Sequence, residues 1–151
     1  MRPYLDKAAP EAWAAAGTYS LAIGEAAAAR GLLPRESELI KVRASQLNGC
    51  AFCLNLHTQE ARAAGVPQQQ LDLLPAWRET TLFDERERAV LAISEAATQL
   101  PLSEEAQADL FGARTVLGDD TFVAAEWVAA TINLFNRISI LSEHPVRQRR
   151  E

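Results

Sequence analysis

Apolar side chains recur at intervals of three and four residues along nearly the whole chain, and no segment alternates between β-branched and polar residues. Such spacing is typical of amphipathic α-helices. Alternation of apolar and polar residues would indicate half-buried strands, and this chain lacks it. After Pro34, for example, Ile40, Ala44 and Leu47 fall on one face of a helix. The pattern therefore predicts an all-α protein.

Prolines, glycines and capping residues divide this pattern into helices. Pro10 suits the first turn of a helix, and Asp84 with Glu87 forms a capping box. Ser103 is a second N-cap, and Gly118 ends the helix that follows it. The predicted helices cover residues 10–30, 34–48, 50–64, 66–74, 84–100, 103–118 and 121–141.

The remaining segments are predicted as connections. Residues 76–83 are expected to form a loop that carries Trp77, and Asp119 or Asp120 is expected to cap the last helix. Residues 144–151 are predicted to be a polar tail. In that tail we expect His144 to be exposed and the arginines to be solvated, and the arginines are Arg147, Arg149 and Arg150.

The last predicted helix is apolar around much of its circumference. A helix of this kind is buried in the centre of a bundle or in a contact between subunits. Asn136 and Arg137 lie late in it, where a charge must be paired, and we interpret both as subunit contacts. Trp13, Trp77 and Trp127 are interpreted as packing residues in the core or an interface.

Length and charge narrow the function classes. The 151 residues are expected to form a single domain, residues 1–151, with a core large enough to fold without disulfide staples or a structural metal. A net charge of -5 without a basic stripe argues against nucleic-acid and anionic-membrane partners. Residues 1–13 contain no apolar signal core, so we expect a cytoplasmic protein.

The two cysteines, Cys50 and Cys53, carry the candidate chemistry. In a reducing compartment a Cys-x-x-Cys pair is redox-active or binds a metal more often than it staples a fold. Thiols at a helix start lie beside free backbone N–H groups and the positive end of the macrodipole, which lowers the pKa of a cysteine. A zinc site would need further ligands, but no third cysteine exists and the only histidine besides His57 is His144. We therefore predict redox chemistry and no metal or cofactor.

His57 and Glu38 are the predicted proton-transfer groups. His57 follows Cys53 by four residues, so both lie on one helix face and the imidazole can act as a base toward the thiol. Glu38 precedes Gly49 by about 16 Å of helix, but an antiparallel return after Gly49 brings it level with a point about one turn beyond His57. Glu38 could there hold the imidazole, directly or through a water.

The motif resembles a known family, the AhpD-like alkylhydroperoxidases within the carboxymuconolactone decarboxylase superfamily. The resemblance rests on Glu38, the segment from Arg43 to Cys53, His57 and Ala61. Further matching positions are Trp77, Arg78, Phe83, Glu87, Arg88, Ala89, Asn133, Asn136 and Arg137. The resemblance implies an AhpD-like bundle of about six to seven helices that forms a homo-oligomer, a trimer or a hexamer.

The resemblance also implies a thiol-dependent peroxidase. Its cysteine pair would be Cys50 and Cys53, and its relay would be His57 and Glu38. The substrate would be an organic hydroperoxide or hydrogen peroxide, and the electrons would come from a dithiol or protein reductant that the sequence does not identify. Some members carry a histidine where this chain has Phe52, and the phenyl ring makes the pocket more apolar, which favours organic hydroperoxides.

Two other functions remain open. The dithiol could serve as a redox-sensing or partner-binding switch with little turnover. A decarboxylase-type activity, which the superfamily name invites, is the other alternative, although that branch is not marked by a cysteine pair.

Between the two thiols, Cys53 is the predicted peroxide-attacking residue because it shares a face with His57. Cys50, closer to the helix start, could instead take that role.

Overall fold

The computed structural model describes residues 1–150, and these residues form α-helices without a strand. The helices are α1 Leu5–Ala8, α2 Pro10–Ala29, α3 Pro34–Asn48, α4 Ala51–Ala63, α5 Gln68–Leu73, α6 Glu85–Thr98, α7 Glu104–Leu117 and α8 Asp119–Ser142. A 3₁₀ helix, Leu74–Glu79, follows α5. The predicted all-α class is confirmed, and the predicted helices are found with boundaries shifted by a few residues.

Local capping chemistry explains two of these boundaries. Asp84 Oδ1 accepts a hydrogen bond from Glu87 N at 2.8 Å, while Glu87 Oε2 accepts one from Asp84 N at 3.1 Å. This is the predicted capping box at the start of α6. Ser103 Oγ accepts from Ala106 N at 3.0 Å at the start of α7, which confirms the second predicted cap.

Three local predictions need correction. The loop predicted over 76–83 is shorter in the structure, because residues 76–79 belong to the 3₁₀ helix. Pro75 lies in the first turn of that helix, where proline is tolerated. Gly118 is the residue before α8, and Asp119 and Asp120 lie within the first turn, where their charge favours the helix dipole. Neither aspartate is the cap. The short helix α1 was not predicted from the sequence.

Helices α3 and α6 lie between two clusters of buried apolar residues. One face of each contributes to a cluster shared with α2, α7 and α8, where Ile40, Ile93 and Val128 pack. The opposite faces contribute to a second cluster with α4, α5 and the 3₁₀ helix, where Leu39 and Leu91 pack. Because α3 is buried on two sides, the residues that end it are held firmly in position.

Trp77 belongs to the second cluster and confirms its predicted packing role. Its side chain is buried, and its indole Nε1 donates to Glu95 Oε1 at 2.8 Å. Glu95 also accepts hydrogen bonds from Arg43 Nε at 3.0 Å and from an Arg78 nitrogen at 2.9 Å. These bonds join the 3₁₀ helix, α3 and α6 around one carboxylate.

Helices α2 and α8 leave apolar surface uncovered. Ala27 is the one buried residue of α2, although this helix is rich in alanine. The outer face of α8 exposes five large apolar side chains, which are Val123, Trp127, Leu134, Ile140 and Leu141. Among residues 1–150, no helix combines the length and the apolar character needed to cross a bilayer. The predicted homo-oligomer stays a prediction, and this face is where we expect the contact.

Replacing Leu134 with glutamate tests the oligomer. Wild-type protein at micromolar concentration is expected to sediment as a trimer or hexamer of the 16.5 kDa chain. The Leu134→Glu variant is expected to sediment as a smaller assembly or as the monomer. The reason is that a charge cannot be buried unpaired in an apolar contact. Leu102→Glu is the matched control, because Leu102 and Leu134 are each 41% exposed and Leu102 lies between α6 and α7. A monomeric wild type contradicts the prediction.

Candidate active site

The site is built around the sharp turn between α3 and α4. Gly49 adopts a left-handed conformation with φ 68°, which glycine tolerates far better than other residues. Gly49 N donates to Gln46 O, and Cys50 N donates to Ser45 O at 3.0 Å. These bonds satisfy carbonyls at the end of α3 and turn the chain back, so that α4 packs along α3.

Cys50 and Cys53 lie at the start of α4, joined in a disulfide. Cys50 is the N-cap residue, and its sulfur accepts a hydrogen bond from Cys53 N at 3.3 Å. Both side chains are buried. The sulfurs therefore lie where the free N–H groups and the dipole of α4 favour negative charge, which is the environment that stabilises a thiolate after reduction.

His57 contacts two carboxylates. Its Nδ1 lies 3.1 Å from Glu38 Oε2 and 3.0 Å from Glu60 Oε2. Since both oxygens are acceptors, Nδ1 carries the hydrogen and donates it between them. Nε2 has no hydrogen-bond partner among residues 1–150, and His57 lines the cavity described below. In the neutral form of the ring, Nε2 is therefore the nitrogen without a hydrogen, and it can accept a proton.

Glu38 is mostly buried and remains charged. Burial by itself raises the pKa of the Glu38 carboxyl, but the hydrogen bond and charge of His57 and the ammonium of Lys41 outweigh it. The resulting pKa of Glu38 lies below the ordinary value for glutamate. Lys41 Nζ donates to Glu38 Oε1 at 3.0 Å. Glu38 therefore stays an anion at neutral pH, beside His57.

The same carboxylates offer a possible set of metal ligands. One ligand atom from each of Glu38, His57 and Glu60 lies within 4.8 Å of the others. The Lys41 ammonium already neutralises Glu38 at 3.0 Å, and a divalent cation would have to compete with it. Both carboxylate oxygens of Glu38 already have partners within the chain, Lys41 and His57.

A cavity of about 800 Å³ lies beside the disulfide. Cys53, Phe52 and His57 line it, whereas Cys50 is not part of its wall. Most of the surface of the cavity wall is apolar, and the apolar or aromatic side chains that contribute to it include Tyr4, Trp13, Leu56, Ile132, Phe135 and Ile138. This size falls within the range of about 300–1,000 Å³ that is typical of small-molecule sites. An organic molecule in the cavity would therefore contact Cys53 and His57.

The two ends of the chain meet on the wall of this cavity. His144 Nε2 donates to Asp6 Oδ1 at 2.9 Å, and its Nδ1 lies 3.1 Å from Ser139 Oγ. The hydrogen bond from His144 holds the pKa of Asp6 below its usual value. The His144 ring packs against Tyr4 and Phe52, with centroids 5.1 and 5.3 Å away. The prediction of an exposed His144 is wrong, because Asp6 provides a partner that is distant in sequence.

A buried network of amide side chains fixes the turn to α8. Asn48 Nδ2 donates to Asn133 Oδ1 and to Asn136 Oδ1, each at 2.9 Å. Asn136 Nδ2 in turn donates to Ser45 Oγ at 3.0 Å, and Ser45 donates to Lys41 O at 2.7 Å. Every member thus bonds to a neighbour, which makes a buried polar cluster favourable. Asn48 and Ser45 serve the turn and do not line the cavity.

The network corrects the interpretation of Asn136 as a subunit contact. Asn136 is fully buried within its own chain by its bonds to Asn48 and Ser45. Arg137 is exposed and donates to the carbonyl and side-chain oxygens of Asn133 at 3.0 Å. The interpretation of Arg137 as a subunit contact stays a prediction.

The structure brings Glu38 into direct contact with His57, as the predicted turn required, and places Cys53 and His57 on one cavity. No hydrogen bond joins His57 to either sulfur in the described residues of this disulfide form. Sequence reasoning missed Glu60, although its spacing of three residues from His57 on one helix could have indicated it. It also missed Lys41 and the chain ends.

Comparisons with known proteins agree with this fold and motif. Residues 9–96 match the model of the carboxymuconolactone decarboxylase family. The uncharacterized protein YdfG of Bacillus subtilis is 38% identical over 103 residues, which are 68% of this chain and 70% of YdfG. A crystal structure of a protein of unknown function from Agrobacterium tumefaciens, described as a proposed antioxidant defence protein AhpD, superimposes with a TM-score of 0.79. The two sequences are 33% identical, and the superposition covers 97% of this chain and 100% of the Agrobacterium tumefaciens chain.

The chain therefore belongs to the carboxymuconolactone decarboxylase family. Its resemblance to the AhpD-like proteins of that superfamily, predicted from the cysteine motif, is confirmed.

Replacing Asn48 with alanine tests the network. The change removes the amide that donates to two buried oxygens, so we expect the free energy of unfolding to fall by about 1–3 kcal/mol. Asn55→Ala is the control, because Asn55 lies on α4 and, within residues 1–150, its side chain bonds only to the exposed Arg149. It should change stability by less than about 0.5 kcal/mol. Urea unfolding followed by circular dichroism measures both, and equal losses would contradict the assigned role.

Proposed function

We propose that the protein is a thiol-dependent peroxidase that reduces organic hydroperoxides with the Cys50–Cys53 pair. The observation that carries the proposal is that Cys53 and His57 line one largely apolar cavity, while Glu38 holds His57 at 3.1 Å. The arrangement supplies a sulfur nucleophile, a base and an orienting carboxylate in one place. The family membership and the AhpD-like neighbour support the same function.

In the first step, the reduced protein uses Cys53 as the attacking residue. The Cys53 thiolate attacks one peroxide oxygen, the O–O bond breaks, and a sulfenic acid and an alkoxide result. The alkoxide takes a proton from His57, which had received it from the thiol through Nε2, and leaves as an alcohol. Glu38 stabilises the transient positive charge of His57 through Nδ1.

In the second step, the Cys50 thiol loses its proton and its sulfur attacks the sulfenic sulfur of Cys53. An S–S bond forms, the S–O bond breaks, and the hydroxide takes that proton to leave as water. The two thiols have then supplied two electrons to convert one hydroperoxide into one alcohol and one water. An external dithiol returns two electrons and two protons to the disulfide by thiol exchange.

The position of the cavity favours this assignment of the cysteines. Cys53 lines the cavity and Cys50 does not, so a bound hydroperoxide reaches Cys53 first. The cavity also favours an enzyme over the alternative of a redox-sensing module, because a switch that docks a protein needs no internal space of about 800 Å³. Phe52 on the cavity wall favours an organic substrate over hydrogen peroxide.

Serine variants of the cysteines test the proposal. Cys50→Ser and Cys53→Ser should each abolish reduction of cumene hydroperoxide under excess dithiothreitol, because closing the disulfide needs both sulfurs. The helical circular dichroism should stay unchanged. Sulfenic acid trapped with dimedone is expected in Cys50→Ser and not in Cys53→Ser. The reverse trapping pattern would exchange the roles of the two residues, and absence of turnover in the wild type would favour the sensing alternative.

Variants of the relay give a ranked prediction. His57→Ala should lower the rate of peroxide attack by about 10²–10⁴-fold because it removes the base. Glu38→Gln should cause a smaller loss, since Glu38 acts only through His57. Glu60→Gln is the matched control, because Glu60 also bonds to Nδ1 but its side chain is 47% exposed, and its loss should be the smallest. The rate of peroxide attack is measured by stopped flow at several pH values around neutrality. Unchanged rates in His57→Ala and Glu38→Gln would show that the relay takes no part in the mechanism.

A further inference from the structure

The wall of the cavity carries more positive than negative charge. Its cationic side chains are Lys7, Lys41 and Arg147, and its one carboxylate is Asp6. Asp6 is already engaged by His144. The whole chain, in contrast, has 20 acidic and 15 Lys and Arg residues. The excess of cations on this wall therefore runs against the composition of the protein.

Among residues 1–150, Arg147 is the cation on this wall that has no partner. Within residues 1–150 its guanidinium makes no salt bridge and no hydrogen bond. Lys41 is paired with Glu38 at 3.0 Å, and Lys7 lies 3.5 Å from Asp6. Arg147 therefore has its full set of donors available for an anion.

Contacts on both sides hold Arg147 at the cavity, although it follows the last helix. His144 is fixed by Asp6 and Ser139 before it. Arg149 after it donates to Asn55 Oδ1 at 3.0 Å and to Asn55 O at 2.9 Å, which attaches the segment to α4. The C-terminal segment is thus tied down at two points, and Arg147 lies between them.

The rest of the wall suits an apolar body. Trp13, Phe52 and Phe135 contribute aromatic surface, and burial of an apolar group against such surface is favourable at roughly 25 cal/mol per Å². A guanidinium recognises a carboxylate through two parallel hydrogen bonds, which a neutral head group cannot reproduce. The cavity thus combines a site for an anion with a site for an apolar body.

We propose that this cavity binds organic molecules that have one carboxylate and an apolar body, and that Arg147 recognises the carboxylate. The inference rests on the proposed function where it concerns turnover, because the peroxide substrate then is a carboxylate-bearing hydroperoxide. The binding itself needs no reaction. The ligand class can therefore be tested on the oxidised protein, separately from peroxidase activity.

Calorimetric titration of the oxidised protein with 4-phenylbutanoate and 4-phenylbutanamide tests the binding, because the two ligands share one body and differ in charge. The wild type should bind the carboxylate about tenfold more tightly, a difference of about 1.4 kcal/mol. Arg147→Gln should remove this preference and leave the amide affinity unchanged. Arg150→Gln is the control. It removes the same charge three residues further along the chain, from a side chain that does not line the cavity. Equal binding of the two ligands, no binding of either, or equal effects of the two substitutions would overturn the proposal.

The second arm uses linoleic acid hydroperoxide and its methyl ester with the reduced protein. Arg147→Gln should lower kcat/KM for the acid about tenfold and leave the ester unchanged, the change corresponding to about 1.4 kcal/mol. If neither hydroperoxide is reduced while the carboxylate preference in binding persists, the ligand class stands and the peroxidase proposal fails. Equal losses for acid and ester would overturn the role of Arg147 as the carboxylate-recognising residue.

Discussion

The antiparallel return of α4 along α3 is the constraint on which the site depends. Glu38 and His57 lie on opposite sides of Gly49, and only a tight reversal brings Glu38 Oε2 within 3.1 Å of His57 Nδ1. The same reversal makes Cys50 the N-cap of α4, so one turn creates both the anion-stabilising helix start and the carboxylate–imidazole pair. A change in its geometry would separate both from the cavity.

Polar side chains of α8 fix the turn in addition to the apolar packing of α3. Asn48 is the centre of a network that reaches Asn133 and Asn136 of α8. Buried amides are favourable only when their donors and acceptors are matched, and this requirement permits few alternative positions of α8. The network therefore specifies where α8 passes the turn, and α8 supplies Ile132, Phe135 and Ile138 to the cavity.

Sequence reasoning succeeded where the physics is local. The caps at Asp84 and Ser103, the left-handed glycine at residue 49 and the spacing of Cys53 and His57 all act within one turn of helix. It predicted the Glu38 contact because a single reversal separates the two residues. The family resemblance rested on the residues of the motif itself, from Glu38 to Ala61, and on the further matching positions outside it.

Features that depend on distant segments could not be predicted in the same way. His144 pairs with Asp6 across 138 positions of sequence, and no periodicity connects the two ends of a chain. The partners of Asn136, which are Asn48 and Ser45, lie 88 and 91 positions earlier, so the sequence pattern did not indicate them and Asn136 was interpreted as a subunit contact. The excess of cations on the cavity wall could not be predicted from the sequence either. Lys7 lies on α1, Lys41 lies on α3, and Arg147 lies in the segment after α8.

The most direct test of the central claim is a single-turnover reaction of the reduced protein with one equivalent of cumene hydroperoxide, without added reductant. The account predicts that one alcohol forms as two thiols are lost, that mass spectrometry finds a Cys50–Cys53 disulfide, and that the rate far exceeds that of free dithiothreitol. Thiol loss no faster than that of the free dithiol, or loss without formation of alcohol, would contradict it.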